Sequence, residues 1–354
     1  MTAQARKWIS IWLAIGLILV FVQVVIGGIT RLTDSGLSIT EWELVKGVLP
    51  PTNEEAWNIA FEKYQTHAKK QYESIHSDMS LKEFKRIYFW EWFHRLWARS
   101  MGLIFIFPFI FFLGKKWIPK WLLLRLSVVI GLAAFAGVFG WIMVASGLND
   151  DNRTWVSAYK LASHLLIATS LFSYLFYTFI KVRHLDEQRY NYPQLKKLVL
   201  ATILVCLVQI TFGAFMAGMR AGAIHPHWPF FLGNQNFLAL LFPKDPAGSL
   251  ELINYEKQVW IKAFVQVVHR STALLLLILA LSIYYLSKAK ESILKKASLV
   301  ILVLVGLQYL LGVLSIIGII GNKTPVFLGV AHQGLALIFL ASLFYYWYFI
   351  SEKK

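Results

Sequence analysis

The sequence predicts an all-α integral membrane protein. Eight transmembrane helices form two tandem four-helix bundles, related by a pseudo-two-fold axis along the membrane normal. Three observations predict this. The 354 residues are 57% hydrophobic and 15% charged, with a mean hydropathy of +0.57, which is more apolar than a soluble core allows. Eight apolar stretches each reach roughly 20 residues, enough to cross a bilayer. Short motifs in the first half of the chain recur in the second.

Taken in order, the spans are expected at 8–28, 88–113, 122–147, 158–180, 197–219, 259–286, 297–320 and 326–350. Their connections carry an alternating charge bias. Arg6 and Lys7 precede the first span. Lys115, Lys116 and Lys120 join the second to the third, and Lys181, Arg183, Arg189, Lys196 and Lys197 join the fourth to the fifth. Lys288, Lys290, Lys295 and Lys296 join the sixth to the seventh, and Lys353 and Lys354 end the chain. With eight spans these places share one side, which the positive-inside rule makes cytoplasmic, with both termini there. The localisation read from this is a bacterial cytoplasmic membrane.

On the outer side, residues 29–87 form a long loop whose mixed-charge stretch from Glu54 to Lys85 is expected to hold short interfacial helices. Residues 220–258 form a second, with Pro226, Pro229, Pro243 and Pro246. Short outer turns fall at Asn149-Asp150-Asp151-Asn152 and Asn322-Lys323-Thr324-Pro325. The repeat pairs Gln23-x-x-x-Gly27 with Gln209-x-x-x-Gly213, His94-Arg95 with His269-Arg270, Gly140 and Gly147 with Gly312 and Gly318, and His164 with His332. The units are therefore 1–190 and 191–354, both with the same orientation.

The net charge of +16 is absorbed by these inner connections, so it marks a lipid bilayer and not nucleic acid. The single cysteine, Cys206, excludes an intramolecular disulfide and a thiolate metal site, and reads as a packing residue. No presequence rich in Ser and Arg precedes the first span.

His94, His164, His269 and His332 lie roughly six to ten residues inside the outer ends of the second, fourth, sixth and eighth spans, or roughly 10–15 Å below that surface. Ionisable groups in a bilayer are costly and mark function. One such histidine is as often a core residue hydrogen-bonded to backbone. Four at one depth, duplicated, point to paired axial ligands for heme iron. Zinc fits less well, since no Cys or second carboxylate completes a tetrahedral set in either half. His67, His76 and His184 read as solvated loop residues, and His225 and His227 as weak candidates for a metal or heme contact.

Glu91 stands three residues before His94, on one helix face; the matching residue before His269 is Gln266. A carboxylate beside a heme can move protons, although it also suits a helix N-terminus. The half with the acid is the better place for chemistry, and the other for a resident cofactor. Arg95, Arg99 and Arg270 are candidate partners for heme propionates, with Arg31 beside them; snorkelling to headgroups is the alternative.

At this point the chain resembles the heme A synthase family over nearly its whole length. The resemblance is carried by Gly27-Gly28-Ile29-Thr30-Arg31-Leu32-Thr33-Asp34-Ser35-Gly36-Leu37-Ser38, by Asp78-Met79-Ser80-Leu81-Lys82-Glu83-Phe84-Lys85, and by Glu91-Trp92-Phe93-His94-Arg95. It extends through Gly140-Trp141-Ile142-Met143-Val144-Ala145-Ser146-Gly147-Leu148 and Tyr159-Lys160-Leu161-Ala162-Ser163-His164 to Val268-His269-Arg270 and Ala331-His332-Gln333. The resemblance implies oxidation of a methyl group of heme O to a formyl group, giving heme A for cytochrome oxidase. It implies Glu91 as catalytic carboxylate, His94 and His164 as axial ligands of the substrate heme, and His269 and His332 as axial ligands of a resident heme b. The farnesyltransferase that makes heme O, heme O synthase, is the implied upstream partner.

The chain departs from the family in three ways, one of them a divergent His225-Pro226-His227-Trp228-Pro229 in the second outer loop. It lacks the outer-loop cysteine pairs of some members, which argues against a thiol relay. It also has Arg220 where the family usually has an acid in Ala217-Gly218-Met219-Arg220-Ala221-Gly222. The competing reading is a two-heme b-type electron-transfer cytochrome. A third is a heme-handling protein without chemistry. The sequence leaves the electron acceptor, the route of heme O and a homo-oligomeric state open.

Overall fold

The structure, a computed structural model, describes residues 1–41, 46–148, 154–229, 259–320 and 323–351. The turn at 149–152, Asn322, Pro243, Pro246 and the terminal lysines lie outside the described residues. Ten α-helices are described: α1 Ala3–Leu32, α2 Glu54–His67, α3 Lys69–Ile75, α4 Leu81–Gly114, α5 Lys120–Leu148, α6 Ala158–Arg183, α7 Pro193–Gly218, α8 Val259–Ser287, α9 Ser292–Ile317 and α10 Val326–Phe349. All but α2 and α3 are long and apolar enough to span a membrane. The chain is thus a multi-pass membrane protein with the eight spans expected of it.

Most helices extend beyond their apolar windows, because polar residues at their ends cap them. Thr2 accepts the Ala5 N–H at the start of α1, and Ser157 accepts the Lys160 N–H at the start of α6. Ser80 and Glu83 form a capping box that starts α4 seven residues before the expected span. Pro193 opens α7, where its missing N–H costs nothing. α2 and α3 are the interfacial helices expected in the first outer loop. Tyr64 and Phe84, both fully buried, join them to the start of α4 with Leu37 and Val156.

Close seams join consecutive spans, α1 with α4, α5 with α6, α7 with α8, and α9 with α10. α1, α6, α7 and α10 meet in the middle, α1 and α6 from the first half packing on α10 from the second. Gln333 donates to the Val24 carbonyl at 2.9 Å across that seam. A side chain on Gly28 would press on the Gln333 amide, 2.7 Å away, so the two helices need glycine there. Two apolar cores fill the bundle between the histidine layer and the inner connections. Cys206 is buried in one of them, as a packing residue.

Candidate functional site

The four histidines are seated by one repeated device. Each imidazole lies against a glycine on the preceding span. A Cβ on Gly27 would stand 3.2 Å from His94 Nε2, and on Gly213 3.1 Å from His269 Cε1. On Gly140 and Gly312 it would stand 3.0 Å from the Cε1 atoms of His164 and His332. Any larger residue would push the ring, which packed interiors resist.

One helical turn before each glycine comes a second contact. Gln23 Nε2 lies 2.9 Å from His94 Nε2 and donates to the His94 carbonyl at 3.2 Å. Gln308 Nε2 lies 3.4 Å from His332 Nε2 and donates to the His332 carbonyl at 3.0 Å. Gln209 Nε2 lies 3.4 Å from His269 Nε2, and its amide oxygen accepts the Thr272 hydroxyl. The fourth position is Ala136, which offers His164 only its backbone carbonyl. The two-fold repeat read from the sequence is thus carried by four helical hairpins. Gln308-x-x-x-Gly312 had the same spacing as the two motifs singled out there, and was missed.

The arrangement fits a heme held by paired imidazoles. The His269 and His332 rings are 6.3 Å apart between centroids, with planes at 72°. Two imidazoles on one metal, with nitrogens roughly 2 Å from it, place their centroids roughly 6 Å apart. The rings of His164, His269 and His332 are each packed against the backbone carbonyl one turn before the seating glycine, that of Ala136, Gln209 and Gln308. His94 lies within electrostatic reach of His164. Among the described residues no group of three or more His, Cys, Asp or Glu could hold a bare ion. The donor set suits an axial pair, with a planar macrocycle supplying the other ligands.

Glu91 is buried, at 3% exposure. One carboxylate oxygen accepts from Arg95 at 2.6 Å; the other accepts from the Ser38 hydroxyl at 2.7 Å and the Ile39 N–H at 3.0 Å. The sequence placed Ser38 in a motif without naming this partner, because only the fold carries that loop back over α4. Gln266, fully buried, instead donates to the His225 carbonyl at 3.0 Å and leaves its amide oxygen unpaired.

The arginines hold the outer loops. Arg95 donates to the Ile39 and Glu41 carbonyls at 3.0 and 3.1 Å, and Arg99 to the Gly47 carbonyl at 3.2 Å. Arg270 donates to the His225 and His227 carbonyls at 3.1 and 2.8 Å. Arg31 reaches into the second half, donating to the Ala217 carbonyl at 2.6 Å. Arg220, in a left-handed conformation, pairs with buried Asp34 at 2.5 Å and lies 4.2 Å over the Trp155 ring.

His76 corrects a sequence expectation. It is buried, not solvated, with Nδ1 2.5 Å from the Tyr64 hydroxyl, and burial lowers its pKa from the ordinary histidine value. His225 is also buried, and burial with the nearby Arg270 pushes its pKa down to about 4. His67 stays exposed near the Lys63 carbonyl, and His184 faces Glu187 at 2.7 Å.

Fold and site together define a polytopic membrane protein that carries buried histidines on four of its spans, each seated against a glycine of the preceding span. The profile of the family described as cytochrome oxidase assembly protein matches residues 10–344. A heme A synthase of Flavobacterium psychrophilum is 39% identical, over 96% of this chain and 97% of its own length. Heme A synthases of Flavobacterium johnsoniae and Bradyrhizobium diazoefficiens are 35% and 37% identical, over 97% and 95% of this chain and 97% and 89% of their own. The chain belongs to this cytochrome oxidase assembly family, among its heme A synthases.

Proposed function

We propose that this chain is a membrane oxidoreductase that converts heme O to heme A, with two halves of unequal duty. The observation that carries this is the single acid in an otherwise repeated site. Glu91 is held beside His94 by Arg95, Ser38 and Ile39, whereas Gln266 stands beside His269.

In this reading His94 and His164 bind the iron of the substrate heme and fix its plane. Glu91 is the catalytic carboxylate, taking protons released as the methyl group becomes a formyl group. Arg95 and the two loop donors hold its carboxylate in place, so little reorganisation is needed at the moment of proton transfer. Residues 33–41, drawn over α4 by the same contacts, shield the site from outer water. His269 and His332 hold a resident heme b, which supplies one-electron transfer when bound. Arg31, Arg95, Arg99 and Arg270 are the candidate partners of the heme propionates in this reading. Residues 1–190 and 191–354 are the substrate and cofactor units, with both termini on the cytoplasmic side of the inner membrane. Heme O synthase is the upstream partner.

The test is extraction of noncovalent hemes from protein co-expressed with heme O synthase, followed by chromatography and mass. Heme A alongside heme B is the expected result. Heme B alone, near two per chain, would establish an electron-transfer cytochrome instead.

A further inference from the structure

The repeat does not stop at the helix ends. Gln23 and Gly27 answer to Gln209 and Gly213, and the same spacing carries on into the outer caps. Asp34 answers to Arg220, 186 residues on, and both hold a left-handed backbone, at φ 56° and 49°. Gly36 then answers to Gly222, Ile39 to His225 and Glu41 to His227. The contacts agree with this register. Arg95 holds the Ile39 and Glu41 carbonyls, and Arg270 holds those of His225 and His227. The two caps are one loop geometry used twice.

At one position beside the acid the loop changes. Ser38 answers to Ile224. Ser38, at 2% exposure, donates to Glu91 Oε2 at 2.7 Å, next to the Ile39 N–H at 3.0 Å. The side chain of Ile224 has no donor to offer. Gln266, which answers to Glu91, points its amide N–H at the His225 carbonyl, and its amide oxygen has no hydrogen-bond partner among the described residues. A carboxylate in its place would lose that donor and set an oxygen against the carbonyl. Burying a charge without such donors is costly. The first cap is built to take an acid and the second is not.

A hydroxyl also suits a working acid better than a second fixed N–H. Ser38 Oγ lies 3.0 Å from the Ser35 carbonyl as well as 2.7 Å from Glu91. It donates to Glu91 when that residue is a carboxylate. When Glu91 is a carboxylic acid, Ser38 Oγ can accept from it and turn its own hydrogen to the Ser35 carbonyl. Both forms of Glu91 are then satisfied with no movement of heavy atoms.

We infer that Ser38 is a positioning residue for Glu91, and that this hydroxyl, together with the acid, confines the chemistry to the first half. The inference rests on the role proposed above for Glu91.

The experiment is a double-mutant cycle on the initial rate of heme A accumulation in cells that also express heme O synthase. It compares wild type, Ser38→Ala, Glu91→Gln and the double variant, with bound heme B measured in each. Ser38→Ala should lower the rate about tenfold or more, the worth of a hydrogen bond to a charged group, and leave bound heme B unchanged. The double variant should be no slower than Glu91→Gln, because the hydroxyl acts only through the carboxylate. A wild-type rate in Ser38→Ala, or a further loss in the double variant, overturns the inference. Should Ser38→Ala fail to fold, the second cap still tests the claim without turnover. Gln266→Glu should lower the thermal midpoint of the purified protein at pH 8, and an unchanged midpoint overturns the inference. Wild-type protein that forms no heme A would overturn the functional proposal instead.

Discussion

The two halves share one histidine device and differ where chemistry and turnover would require it. Each pairs a histidine-arginine motif with an outer loop whose carbonyls the arginine holds: Ile39 and Glu41 for Arg95, His225 and His227 for Arg270. Within that shared frame the first half carries an acid, has Ala136 where the other seats have glutamine, and among the described residues shows no packed seam between α4 and α5. The second half has neutral Gln266, a glutamine beside each of its two histidines and a packed seam between α8 and α9. On the proposed reading, the difference teaches that a duplicated site can be given two duties by a few substitutions around an unchanged set of histidines.

The comparison breaks most directly at the proposed axial histidines. His269→Ala or His332→Ala should abolish retention of the resident heme, cutting heme B to about half in protein loaded at both sites. Full retention, measured by the pyridine spectrum, would reverse the assignment of the halves. Next in size is Glu91→Gln. It should leave bound heme B intact while lowering heme A output by about a hundredfold or more, the usual worth of a positioned acid or base. Normal heme A output would remove Glu91 from the mechanism.

The join between the halves comes third. Asp34→Ala leaves Arg220 and Arg31 as buried, uncompensated cations, which costs about 3–5 kcal/mol. The thermal midpoint in detergent should fall sharply, and Arg220→Ala alone should cost less because Arg31 still lies 3.5 Å from Asp34. Smaller again, Gly140→Ala and Gly312→Ala each drive a methyl group against one imidazole, at about 1–3 kcal/mol. Gly140→Ala should weaken heme binding only in the first half, and Gly312→Ala only in the second.

The smallest effect is in pH. His76 and His225 are neutral, buried residues in the two outer caps, with pKa values below that of an unfolded histidine. Both states are neutral above about pH 6.5, so neither group affects stability there. Below that, the unfolded chain takes up protons that the folded one refuses, and stability falls as pH drops, for His225 down to about pH 4. His76→Gln should flatten this dependence for the outer loop of the first half, read by protease cleavage between α2 and α4 at pH 5 and pH 7.

Much of the site was legible before any fold was known. Glu91, His94, His164, His269 and His332 are found by type and spacing, because a histidine or acid in a hydrophobic span is conspicuous. Gln308 was legible but overlooked, since its motif copies the spacing of Gln23 and Gln209. The partners of Glu91 were not, because Ser38 and Ile39 lie more than fifty residues away along the chain. His76 was misread as solvated for a related reason. Nothing near it in sequence announces that Tyr64 and Gln71 will enclose it.

The sequence by itself determined the eight spans, their alternating charge, the four histidines and the lone acid beside one of them. These follow from hydrophobic length, loop charge and residue type, all of which act locally along the chain. Only the tertiary structure decided which glycine and amide lie under which ring, and that Arg220 pairs with Asp34 from the opposite half. Those contacts join residues far apart in sequence, and are fixed by how whole helices dock through small residues at close approach, which no local pattern encodes.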